Sequence, residues 1–218
     1  MRIALIHALT HSIAPINDAF MRLWPAATRV NLLDDSLSAD LAANDGVLDE
    51  AMHVRFETLA DYAVSCGADG ILFTCSAFGS CIERVAAKHA KLPVLKPNEA
   101  MISEAVNATT ESGQPIGLIA SFAPTLVSMP PEFPSTSTLH TELVADAMLA
   151  LNAGNGAAHD AAVVAAALRL KARGAGVIAL AQFSMARAAN AVAEATGLPV
   201  LTTPSTATRL LKIRLGVA

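Results

Sequence analysis

The sequence predicts an α/β protein made of two similar parallel-sheet lobes. Three observations carry this. Short apolar, β-branched runs alternate with longer stretches of helical spacing, the second half of the chain repeats the first in order, and small or polar residues collect just after the apolar runs. The runs at 3–6, 71–73, 116–119 and 177–180 are short and almost wholly apolar, which is how a parallel strand buried on both faces reads. Helical spacing over 52–64, 77–89 and 161–173 lies between them, so the chain is expected to fold as βαβ units.

The repeat is visible at four places. RIALIHALTHS from Arg2 lies over PIGLIASFAPT from Pro115, 113 residues on. Leu33 with residues 44–46 lies over Leu143 with residues 154–156, at an offset of 110. GADGILFTC from Gly67 lies over GAGVIALAQ from Gly174, at 107, and the two LPVL segments from Leu92 and Leu198 are 106 apart. An offset that shrinks steadily is what a few short deletions after a duplication would leave, and a unit of about a hundred residues is of domain size. The expected lobes are 1–97 plus 205–218 and 98–204, with a last helix that returns to the first lobe and an active site in the cleft between the two.

Composition narrows the partners. Of the 218 residues, 53% are hydrophobic and 16% charged, far from the signature of disorder. A net charge of −4 with scattered Lys and Arg offers no basic face, so no nucleic acid is expected. No apolar stretch reaches the roughly 18 residues of a membrane span, and the start of the chain does not read as a signal peptide. Cys66, Cys75 and Cys81 fit neither a disulfide framework nor a zinc spacing, which suits reduced thiols in a cytoplasmic protein. A homodimer is the default assembly.

In an open parallel sheet, ligands bind beyond the carboxyl ends of the strands, where helix N-termini point free N–H groups outward. The residues to read are therefore His7, Ala8 and Thr10; Thr74, Cys75, Ser76 and Ala77; Lys96, Pro97 and Asn98; Ser121 to Thr125; Gln182, Phe183 and Ser184; and Thr202 and Thr203. Cys75 stands between a strand and a turn that opens a helix, a setting in which the helix dipole is expected to lower the thiol pKa. His7 is a candidate proton relay, because imidazole titrates near neutral pH. His11 follows it by four residues across a strand-to-loop boundary, which does not make a metal site. Ser76, Ser121, Thr125, Thr202 and Thr203 are placed to hold a carboxylate, and Lys96 with Asn98 to meet a second one. The proline-rich stretch at 128–138 is either a lid or an ordinary connection.

The segment FTCSAFG at 73–79, the second glycine-strand-polar turn at 174–185 and the paired LPVL segments resemble the aspartate/glutamate/hydantoin racemase superfamily over essentially the whole chain. The resemblance implies two flavodoxin-like α/β/α lobes about a pseudo-twofold axis, with no pyridoxal phosphate and no metal. It implies a small carboxylate substrate and two facing cysteines, one taking the α-proton and the other returning one. Cys75 matches the first of these, and Gln182 stands where the second is expected. An amide cannot carry a proton near neutral pH, so Gln182 is expected to orient a substrate oxygen or steady an enolate instead. The implied activity is a cofactor-independent racemase or isomerase working through Cys75. A single-cysteine decarboxylase and a non-catalytic small-molecule binder are the alternatives.

Overall fold

The structure is a computed structural model and describes residues 1–217. The chain divides into two compact units, one holding Met1–Pro97 and the C-terminal segment from Ala207, the other Asn98–Thr206.

The first unit runs β1 (Arg2–His7), α1 (Ile13–Leu23), β2 (Thr28–Leu33), α2 (Leu37–Ala43), α3 (Glu50–Ser65), β3 (Gly70–Phe73), α4 (Gly79–Lys88) and β4 (Val94–Leu95). Its strands form one sheet in the order β2-β1-β3-β4, all parallel. Ile6 pairs with Phe73, and His7 pairs with Leu33, so the ends of β1, β2 and β3 finish side by side. Alternation sends Ala4, Ile6, Ile71 and Phe73 to one face, against Leu37, Leu41, Phe56, Ile82 and Val85 of α2, α3 and α4. Ile3, Leu5 and Leu72 point the other way and are also fully buried.

The second unit runs α5 (Glu99–Thr109), β5 (Ile116–Ala120), α6 (Thr125–Ser128), β6 (Leu139–Leu143), α7 (Ala145–Asn152), α8 (Gly156–Ala172), β7 (Val177–Leu180), α9 (Ala189–Thr196) and β8 (Val200–Thr202). Its parallel sheet has the order β6-β5-β7-β8, the same as the first. Ile119, Ile178 and Leu180 pack on Val163, Ala166 and Leu170 of α8 and Val192 of α9. Ile116, Leu118, Val177 and Ala179 pack on Met101, Ile102 and Ala105 of α5. Helices thus cover both faces, which is the condition for an all-parallel sheet. The 128–138 stretch is a connection rather than a lid, because Met129 and Phe133 are buried in this core. Among the described residues no helix is long and apolar enough to cross a membrane.

The last helix, α10 (Thr203–Arg214), begins in the second unit and ends in the first. Its docking explains a glycine. A Cβ on Gly70 would stand 3.2 Å from Leu211, 3.3 Å from Leu215 and 3.6 Å from Ile3, so the bare backbone of β3 lets the helix settle on the sheet. Gly70→Val should overpack this contact and cost about 1–3 kcal/mol. Urea unfolding checks it, and an unchanged midpoint would show that Leu211 and Leu215 do not bear on β3.

Candidate functional site

Both faces of each sheet are occupied, so polar chemistry is left to the carboxyl ends of the strands. In the first unit these ends carry His7, Thr74 and Cys75.

Cys75 has extended backbone, φ −129° and ψ 124°, and caps a 3-10 turn over Ser76–Phe78. The α-helix begins only at Gly79, two residues later than the sequence suggests, with a 3-10 turn between it and Cys75. That delay matters electrically, because the charge of a helix end falls off within a turn. The thiol is half-buried and shares a narrow crevice with Ile6, His7, Ala8, Leu37, Phe56 and Phe73. Burial among these groups pushes its pKa up to about 11, and the Ala77 N–H offsets only part of this. The expectation of an acidified thiolate is therefore corrected: at neutral pH Cys75 is a protonated thiol. Cys81 is fully buried in the same core, and Cys66 caps α3.

His7 is fully buried at the end of β1, and both ring nitrogens are engaged. Nε2 lies 3.0 Å from Asn31 Oδ1 and Nδ1 lies 2.9 Å from Thr74 Oγ1. Asn31 Oδ1 also accepts from Asn17 Nδ2 at 3.0 Å, and an amide oxygen can only accept. Nε2 therefore carries the proton and donates, while Nδ1 accepts from the Thr74 hydroxyl. No ring nitrogen is spare for the expected relay. His7 instead ties the end of β1 to the residue before Cys75. Neither Asn31 nor Asn17 stood out in the sequence; the only signal was a lone Asn inside the apolar run of β2.

The neighbouring candidates divide. Ser76 and Ala77 flank the thiol and are half-buried, whereas Thr10 is exposed at the start of its own 3-10 turn. Lys96 was expected to meet a second carboxylate; its ammonium is 2.8 Å from Glu83 Oε1 on α4. In this structure the Lys96 charge is thus paired on the surface with a largely exposed carboxylate.

In the second unit Gln182 occupies the matching place. Its backbone is likewise extended, φ −114° and ψ 149°, and it caps a 3-10 turn over Phe183–Ala188. Its Oε1 accepts from the Ser121 N–H at 2.8 Å, and its Nε2 donates to Thr125 Oγ1 at 3.0 Å. Gln182, Ser121 and Thr125 are thus brought together, with the amide committed at both ends. Phe183 and Ser184 are buried beside it. Thr202 at the end of β8 and Thr203 at the start of α10 are buried, as is Asn98 at the start of α5. Among the described residues, the Asn98 Oδ1 and Thr203 Oγ1 atoms are buried without a hydrogen-bond partner.

Comparison with known proteins follows this geometry. No family profile and no curated protein sequence matches the chain. Solved structures do. Allantoin racemase from Klebsiella pneumoniae superposes with a TM-score of 0.71 at 22% identity, over 100% of this chain and 89% of that one. Glutamate racemase from Francisella tularensis, in complex with D-glutamate, gives 0.72 at 14% identity, over 99% and 80%. The fold is the one seen in solved allantoin, aspartate and glutamate racemases. A mutant of arylmalonate decarboxylase, in a sulfate-associated form, has the same fold at a TM-score of 0.60 and 16% identity, over 99% and 93%.

Burial holds the His7 pKa below its ordinary 6.5, with the Asn31 bond opposing. The folded state therefore prefers the neutral ring, and the unfolded chain takes up a proton first as the pH drops. The stability this contributes is complete above about pH 6.5 and is lost on acidification below it. Urea unfolding should give a free energy that falls between about pH 7 and pH 5, with a shallower fall in His7→Gln. Equal slopes in the two proteins would remove His7 from the account.

Proposed function

We propose that this chain is a cofactor-independent racemase or isomerase of a small carboxylate or cyclic amide, working at an acidic carbon through Cys75. The observation that carries the reading is the thiol itself. It sits at a strand end in a racemase fold, on a turn braced from behind by Thr74 and His7, beside an apolar crevice. In the forward step the thiolate removes the proton α to the carbonyl, and the electron pair moves into an enolate. Water delivers a proton to the opposite face of the carbon, the hydroxide formed takes up the proton held by the thiol, and backbone N–H groups of the 3-10 turn after Cys75 steady the charge on oxygen.

A second reading is favoured by one feature. Gln182 holds no exchangeable proton of suitable acidity, and its amide is spent on Ser121 and Thr125. A decarboxylase needs a single proton delivery: the C–C bond to CO₂ breaks, the pair is held as an enolate, and a thiol protonates the carbon and recovers its proton from water. A thiol that is protonated at rest is ready for that role without prior ionisation.

The two readings differ in heavy water and in pH profile. Isomerisation predicts reversible deuterium entry at the α-carbon of an amino acid, hydantoin or similar substrate, with kcat/KM rising about tenfold per pH unit toward the thiol pKa of about 11. Decarboxylation predicts irreversible CO₂ release and a rate that is flat through neutral pH. In both, Cys75→Ser should abolish turnover and leave the thermal transition nearly in place. Full activity in that variant would remove the thiol from either mechanism, and ligands that raise the melting temperature without being consumed would mark a binding protein.

A further inference from the structure

We propose that Arg55 is the positioning residue for chemistry at Cys75: its guanidinium fixes the loop that places Leu37 over the thiol's crevice. The inference rests on Cys75 as the reacting group. It adds a residue on α3 that lies outside the strand-end turns.

The loop after β2 is irregular, and the seven-residue α2 that follows is too short to hold itself. It is held from outside. Arg55 Nε donates to Asp34 Oδ2 and Nη2 to Asp34 Oδ1, both at 2.6 Å, forming a two-pronged pair. Nη1 donates to Asp40 Oδ2 at 2.6 Å, and Nη2 also reaches the Ser36 hydroxyl. One guanidinium thus grips the beginning, middle and far side of the turn.

The gripped loop leads to the thiol. The Asp34 N–H donates to the His7 carbonyl at 3.0 Å, and the Ser36 hydroxyl donates to Asp34 Oδ1 at 2.9 Å. Leu37, next in the chain, is fully buried and lines the crevice with Cys75. Phe56, the residue after Arg55, lines the same crevice, stacks on Phe73 at 5.2 Å and meets Phe78 in a tilted contact at 4.8 Å. One turn of α3 therefore supplies a wall of the crevice through Phe56 and a clamp on the other through Arg55.

Arg55 is part-exposed, with 34% of its side chain in solvent, and exposed pairs contribute little to stability. Its fork fixes direction, which a lysine ammonium cannot do. This separates positioning from support. Arg55→Lys keeps the charge and loses the fork, Asp34→Asn loses the partner near His7, and Asp40→Asn loses only the outer one. Arg84→Gln is the control, since Arg84 pairs with Glu50 and Glu57 in the same unit but touches no part of the loop.

The test is alkylation of Cys75 by iodoacetamide in the folded proteins, followed by peptide mass so that Cys66 and Cys81 are scored apart. Arg55→Lys and Asp34→Asn should label about tenfold faster than the parent, and Asp40→Asn and Arg84→Gln within about twofold of it. Labelling of Arg55→Lys at the parent rate, or of Arg84→Gln as fast as Arg55→Lys, overturns the proposal. If Arg55→Lys does not fold, Asp34→Asn decides by the same criterion. With a substrate in hand, Arg55→Lys should lower kcat and leave KM about unchanged, where general loosening would move both. Because labelling needs no turnover, an inactive parent that shows the expected pattern would defeat the isomerase reading and leave the role of Arg55 standing.

Discussion

A parallel strand covered on both faces has nowhere to put polar chemistry except beyond its end, and this constraint shapes everything in the chain. β1, β3, β5 and β7 are buried along nearly their whole length, so the first freely polar positions are His7, Thr74, Ser121 and Gln182. Those residues still border the core. They satisfy one another before they can serve a ligand, because an unpaired polar group there costs more than it gains. The neutral His7 between Thr74 and Asn31 is the outcome in the first unit, and the doubly engaged Gln182 is the outcome in the second.

The two units solve the same mechanical problem with different residues. In each, the end of the first strand must be fastened to the turn after the third. The first unit does this from the first strand, through the ring of His7 reaching Thr74. The second does it from the turn, through the amide of Gln182 reaching the Ser121 N–H and Thr125. Among the described residues Cys75 is thereby left with no side-chain partner, only the Ala77 N–H, while Gln182, with the same extended backbone and a 3-10 turn after it, is held by both Ser121 and Thr125. The two units share a strand order and differ in the chemistry at the strand ends.

The setting of Cys75 also shows how a site and a core compete for one side chain. Phe56, Phe73 and Leu37 stabilise the first unit by burying apolar surface, and the same surface disfavours the thiolate. A thiol kept protonated is poised to give a proton, and the clamp of Arg55 on Asp34 governs how closely Leu37 closes over it.

Periodicity and the internal repeat were enough to read two parallel α/β sheets, because strand burial and helix spacing are local patterns that survive in a single sequence. The placement of Cys75 after β3 and of Gln182 after β7 was legible for the same reason. Its ionisation was not: the sequence put a turn and then a helix behind Cys75, whereas that turn is 3-10, the α-helix starts only at Gly79, and apolar groups from α2 and α3 surround the sulfur. The pairing of Lys96 with Glu83, the tautomer of His7 and the grip of Arg55 depend on residues 13 to 67 positions apart in the chain. Sequence by itself determined the order of elements and which residues stand at strand ends. Only the tertiary structure decided which of them are free to react, since hydrogen bonding and desolvation are set by neighbours that the chain brings together after it folds.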